Sequence, residues 1–106
     1  MSFSITYTTL NSGKVVVDIV LPENEDLDPD YYNPEDLEPL PARVQGVLEK
    51  NRVLKDIRTS GNRISAMGNG EVGAEKLHIP VLNSCSIYIS DIPKVEYRYG
   101  ASAPKY

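Results

Sequence analysis

The chain has 106 residues, the length of one domain, and its hydrophobic share of 41% and charged share of 25% are typical of a globular protein. Fifteen acidic against eleven basic residues give a formal net charge of −4, which disfavours sequence-independent binding to nucleic acid. No apolar run approaches the roughly 18 residues of a membrane helix, and the first ten residues lack the basic and apolar blocks of a signal peptide. One cysteine, Cys85, excludes an internal disulfide. We therefore expect a single domain over residues 1–106 that is cytoplasmic or virion-associated and not secreted by a signal peptide.

Two strands joined by a tight turn are predicted at the start of the chain. Phe3, Ile5 and Tyr7 alternate with serine and threonine, and this period of two places one face of a strand on a core. Asparagine, serine and glycine at 11–13 accept the backbone angles of a turn, and the β-branched run that follows predicts the second strand. Because Val16 and Val20 make that strand apolar on both faces, we expect it inside the sheet.

Residues 22–41 are predicted to form an irregular, acidic, proline-rich arm. Eight acidic residues lie within 23–38, and no basic residue occurs between Lys14 and Arg43. Five prolines and the repulsion between like charges disfavour regular structure there. Residues 26–30 begin like a calcium-binding loop, but tyrosine stands where the EF-hand turn requires glycine. A solvated acidic segment is therefore the simpler interpretation.

One helix is predicted over residues 41–58, where apolar residues recur at helical spacing. Its buried stripe is predicted to consist of Val44, Val47, Leu48 and Leu54. Strands are predicted after it at residues 63–67, 77–82, 86–90 and 94–99. The predicted fold is α+β, with a small mixed or antiparallel sheet, an N-terminal hairpin, one central helix, the acidic arm and a C-terminal tail at 100–106.

Two patterns suggest chemistry, and each has a simpler structural interpretation. Residues 68–73 match G-x-G-x-x-G, but Pro80 leaves a short segment for the helix that a dinucleotide site needs, so a flexible turn is favoured. His78 and Cys85 are too few for a usual zinc site, and as a nucleophile and base they lie in no catalytic signature. We predict no catalytic, cofactor-binding or metal-binding residues.

Charge and tyrosine content favour binding to proteins. Six basic residues against two acidic ones lie within residues 43–63, next to the acidic arm. This separation suits head-to-tail assembly, although a solvated helix face or attraction within the fold also explains it. Tyrosine is enriched at interfaces, and two tyrosines lie in the arm itself. The predicted partner-binding residues are Tyr31, Tyr32, Asp28, Asp30, Glu35, Asp36, Val53 and Ile57.

The sequence thus favours a non-enzymatic structural or assembly protein that binds neighbouring protein subunits through extended arms, as a homo-oligomer or in a larger particle. A phage-type capsid cement or a neck or tail component is an example. The alternative is a small acidic inhibitor whose arm imitates nucleic acid and blocks a basic groove of another protein. A small hydrolase or nucleotide enzyme ranks third, and neither a membrane nor nucleic acid is expected as a direct partner.

Overall fold

The computed structural model describes residues 3–21, 40–86 and 93–101. Its elements in chain order are β1 (Ser4–Leu10), β2 (Val15–Val20), α1 (Leu40–Glu49), β3 (Leu54–Ser60), β4 (Arg63–Gly68), α2 (Ala74–Ser86) and β5 (Lys94–Ala101). The strands form one mixed sheet in the order β3-β4-β2-β1-β5. The parallel pair is β1 and β5, and the other neighbouring strands run antiparallel. The predicted α+β fold is confirmed; the acidic arm at 22–39 lies outside the described residues.

The N-terminal hairpin forms as predicted, and the strand predicted at 94–99 forms but extends to Ala101, into the predicted tail. Gly13 adopts a φ of 91° in the turn, and its N–H donates to the Leu10 carbonyl at 2.9 Å. The second strand lies between β1 and β4, as its two apolar faces predict. At its far end the backbone N–H of Leu21 donates to the carbonyl of Asn62, and the Asn62 side chain donates to the Leu21 carbonyl. This pair of bonds fixes the exit of β2 against the turn between β3 and β4.

The core lies between one face of the sheet and both helices. The sheet contributes Ile5, Tyr7, Val15, Val17, Ile19, Ile64 and Ala66. The helices contribute Val44 and Leu48 from α1 and Ala74, Leu77, Val81 and Cys85 from α2. Alternation along each strand therefore selects the buried face, as expected for a sheet covered on one side.

The helix predicted over 41–58 ends at Glu49, and its second half is the strand β3. The N–H groups of Lys50 and Asn51 donate to carbonyls three residues earlier in the chain, and these bonds close the last turn. The side-chain oxygen of Asn51 then accepts from the N–H of Val53 at 3.3 Å, a local bond that competes with helix. Leu54 is buried as predicted, but it reaches the core from a strand.

The strand predicted at 77–82 is wrong, because these residues lie in the middle of α2. Ala74, Leu77, Val81 and Cys85 recur at helical spacing and are all buried, which stabilises the helix by packing on the sheet. Pro80 lies inside the helix and removes one backbone bond, at a typical cost of about 3 kcal/mol. The buried stripe outweighs this cost. Of the strand predicted at 86–90, Ser86 ends α2, and the rest lies outside the described residues.

Candidate protein-binding surfaces

The sheet face opposite the helices, here called the outer face, carries three rows of side chains, because paired residues on neighbouring strands point to the same side. Each row has one residue from each strand, in the spatial order β3, β4, β2, β1 and β5. The first row is Ser60, Arg63, Val20, Ser4 and Lys94. The second is Arg58, Ser65, Asp18, Thr6 and Glu96, and the third is Lys55, Met67, Val16, Thr8 and Arg98. Five basic residues thus share this face with two acidic ones. The basic residues stand towards its margins, around a centre of serine, threonine and valine.

Both acidic residues of the outer face lie next to basic ones. Asp18 is 3.4 Å from the Arg63 guanidinium, and Glu96 is 3.5 Å from the Lys94 ammonium and 3.4 Å from the Arg98 guanidinium. All these side chains are partly exposed, so each pair contributes little to the stability of the chain. The outer face as a whole remains positively charged.

A second surface lies at the β5 side of the core. Tyr7 is fully buried, and the Tyr97 ring stacks on it with centroids 5.3 Å apart. The His78 ring meets Tyr7 edge-on at 5.3 Å, and the Tyr7 hydroxyl donates to the His78 carbonyl at 3.2 Å. Burial raises the pKa of the Tyr7 hydroxyl well above its usual value, so it remains a hydrogen-bond donor.

Three large hydrophobic side chains are exposed among the described residues, one on α2 and two on β5. Ile79 is 63% exposed, Tyr97 43% and Tyr99 74%. We call Tyr97 and Tyr99, which lie on the edge strand β5, the apolar edge. Sequence reasoning misses it, because tyrosines that alternate with charged residues are explained as ordinary strand residues. The available signal was that both tyrosines lie on the last strand of the chain. The sequence does not show, however, that this strand lies at an edge of the sheet.

The glycine motif at 68–73 joins β4 to α2, so the strand and helix expected around a dinucleotide loop are both present, contrary to the prediction. Packing nevertheless explains its main residues. A Cβ on Gly68 would lie 3.0 Å from a methyl group of Leu77, so glycine allows the helix to approach the strand. Asn69 binds the carbonyls of Val53 and Arg52 through its backbone and side-chain N–H groups. The loop is thereby fixed to the turn before β3.

His78 and Cys85 both lie on α2, but they do not form a catalytic pair in the part of the chain that the structure describes. Burial raises the pKa of the Cys85 thiol to about 12, so it is protonated at neutral pH and a poor nucleophile. The rings of Tyr7 and Tyr97 surround His78 instead. Within residues 3–21, 40–86 and 93–101, no three histidine, cysteine or acidic side chains are placed to hold a metal ion.

Of the predicted partner-binding residues, the structure describes two. Val53 and Ile57 are half-buried and pack against the core, so their apolar character has an explanation within the fold. The remaining six are Tyr31, Tyr32, Asp28, Asp30, Glu35 and Asp36, and they lie outside the described residues. Of the basic residues at 43–63, three lie on the outer face and were expected on or beside one helix.

No helix in the described ranges has the length and hydropathy needed to cross a bilayer. Comparison with protein families, curated proteins and solved structures finds no match to this chain.

Proposed function

We propose that this protein is a non-enzymatic structural component that binds neighbouring protein subunits in an assembly. The observation that carries the proposal is the excess of basic residues on the outer face, in a chain that also contains the acidic arm. The ligand we assign to the outer face is the acidic segment 23–38 of a neighbouring copy. Capsid cement and neck or tail components of phage are proteins of this kind.

The dimensions and charges support such a contact. Five strands about 4.8 Å apart make the outer face roughly 20 Å wide, and an extended segment of the length of 23–38 reaches up to roughly 50 Å. Lys55 and Lys94 stand at opposite margins of the face, so an acidic segment crossing the sheet meets positive charge on both sides. Exposed ion pairs contribute about 0–1 kcal/mol each and are screened by salt, so the assembly should weaken as ionic strength rises.

Sedimentation of the purified chain tests the proposal. We expect self-association that weakens as salt is added, and we expect the double variant Lys55→Glu/Lys94→Glu to abolish this salt-dependent part of it. The matched control is Arg52→Glu/Lys76→Glu, which makes the same change in net charge at two exposed residues away from the outer face. Equal loss of assembly in both variants would show that net charge, and not this face, is responsible.

The arm is tested separately. Replacing Tyr31 and Tyr32 together by alanine should weaken assembly and leave the melting temperature almost unchanged, because interface tyrosines contribute to binding and not to the monomer core.

The acidic inhibitor is the second candidate, favoured by the eight acidic residues of 23–38. A strict monomer that binds a basic protein in a salt-sensitive manner would replace the assembly proposal by this one.

A further inference from the structure

We infer that β5 is a self-recognition strand, which pairs antiparallel with β5 of a second copy and joins two sheets into one. This goes beyond the proposed function, because it uses the strand edge and the apolar edge and needs neither the acidic arm nor the basic margin on β3.

The two edge strands differ in how well they are protected from pairing. The pairing of β3 with β4 shifts register between Lys55 and Arg58, where Asp56 takes a φ of 52°. Bulges of this kind interrupt an edge and prevent another strand from adding to it. By contrast, β5 pairs with β1 in unbroken register from Lys94 to Tyr99. It therefore presents a regular edge in the described sheet.

The backbone groups of β5 that point away from β1 can be assigned. The N–H of Lys94 donates to the Phe3 carbonyl at 2.9 Å, so Lys94 points towards β1. Alternate residues share this direction, which leaves the N–H and C=O groups of Val95, Tyr97 and Tyr99 directed outwards. These three alternate residues can form six hydrogen bonds with a second copy, two for each of the three opposed pairs.

The charge order and the missing N–H of Pro93 together select one register for a symmetric pair. An axis at Val95 sets Lys94 opposite Glu96, but it also sets Tyr97 opposite Pro93, which has no N–H to donate. If the two-fold axis passes at Tyr97, Glu96 of each copy lies opposite Arg98 of the other. An axis at Glu96 opposes Glu96 to itself and Lys94 to Arg98, and an axis at Arg98 opposes two arginines. Like charges directly opposite each other destabilise a sheet, and opposite charges stabilise it. The sequence Lys-Val-Glu-Tyr-Arg-Tyr is thus self-complementary about Tyr97.

The same register covers the apolar edge. On the helix side of the sheet, Tyr97 meets its own copy, and Val95 lies opposite Tyr99 of the second chain. Aromatic pairs and aromatic contacts with β-branched residues are among the favourable cross-strand contacts. The exposed tyrosine rings described above then become interface residues. A two-fold axis makes this contact closed, so it produces dimers and not fibres.

Exchange of charges tests the pairing. In sedimentation equilibrium, Glu96→Arg and Arg98→Glu should each weaken dimerisation by on the order of a hundredfold, because each converts two attractive pairs into two repulsive ones. The double variant Glu96→Arg/Arg98→Glu has the composition of the natural chain and should restore the dimer. A one-to-one mixture of the two single variants should form a heterodimer, since arginine then opposes glutamate at both positions.

Amide hydrogen exchange supplies a second readout. The amides of Val95, Tyr97 and Tyr99 should be protected in the dimer and unprotected in the dissociated single variants. Those of Glu96 and Arg98 should be protected in both states through their bonds to β1. A monomeric natural chain at several hundred micromolar, single variants that dimerise normally, or a mixture without heterodimer would each overturn the inference.

The test separates this inference from the proposed function. Glu96→Arg adds a basic residue to the outer face, so it should weaken β5 pairing and strengthen the binding of an acidic segment. Assembly that survives Glu96→Arg but is lost in Lys55→Glu/Lys94→Glu supports the proposed function and overturns β5 pairing. Dimers that are lost in Glu96→Arg and survive in Lys55→Glu/Lys94→Glu support β5 pairing. They contradict the proposed function if the natural chain also never grows beyond the dimer at low salt.

Discussion

Replacing Leu48 by alanine tests how α1 is held on the sheet. The Leu48 side chain is fully buried, in the same cluster as Val44 and the apolar residues of the central strands. The substitution removes the transfer free energy of the deleted methyl and methylene groups and leaves a cavity. Comparable core substitutions cost about 2–5 kcal/mol, and complete burial places Leu48 near the middle of that range.

For a domain of this size, 1 kcal/mol corresponds to a change in melting temperature of about 4–8 °C. A loss of about 3 kcal/mol therefore lowers the melting temperature by about 12–24 °C. This is a large share of a total stability that is typically about 5–15 kcal/mol. Thermal and urea unfolding followed by circular dichroism would measure it.

Two variants on or beside the same helix serve as controls. Val47→Ala affects a half-buried residue and should cost clearly less, whereas Lys50→Ala affects an exposed one and should change the melting temperature by a few degrees at most. If Leu48→Ala had no larger effect than Lys50→Ala, the assignment of the buried face of α1 would be refuted.

Two further predictions concern α2. Pro80→Ala restores an N–H that can donate to the Lys76 carbonyl inside the helix. The variant should therefore be more stable by about 1–2 kcal/mol, a value that includes the greater entropy of its unfolded chain. A lower melting temperature would contradict this. The second prediction follows from the pKa of Cys85, which burial raises from 9.0 to about 12, so the unfolded chain loses this proton first. Stability should be intact below about pH 9 and fall between pH 9 and 12, and Cys85→Ala should reduce that slope in urea titrations.

The hairpin and β5 could be predicted because their alternation is visible residue by residue. In β5 a charged residue precedes each valine or tyrosine from Lys94 to Tyr99, and no helical stripe fits that order. The two errors arose where the periods overlap. Leu54 continues the helical spacing of Val47, but it is buried as the first residue of β3. The run at 77–82 is apolar enough to predict a strand, and Pro80 disfavours a helix there. The buried stripe that stabilises the helix is recognisable only over a longer range, because it extends on both sides of Pro80.

The outer face could not be predicted, because it depends on which strands become neighbours. Lys55, Arg58 and Arg63 are close in sequence, but Lys94 and Arg98 join them only through the pairing of β5 with β1. That parallel pairing follows from the crossover through α2, the helix that sequence reasoning missed. The apolar edge has the same origin, since Tyr97 and Tyr99 lie at an edge only because β5 pairs with β1 at the end of the sheet. Both errors in secondary structure concealed the outer face, because Lys55 and Arg58 lie on β3, within the helix predicted at 41–58.

The two proposed contacts have different symmetries, and together they define one kind of assembly. Pairing through β5 is closed by a two-fold axis, whereas an acidic segment on the outer face of a neighbour is a head-to-tail contact that can repeat. A chain with both contacts forms dimers that associate further at low salt. The mass distribution should then respond in two ways: Lys55→Glu/Lys94→Glu should stop growth at the dimer, and Glu96→Arg should yield species with odd as well as even numbers of subunits. Growth through even numbers alone in Glu96→Arg would show that the dimer persists without β5 pairing, and would refute this arrangement.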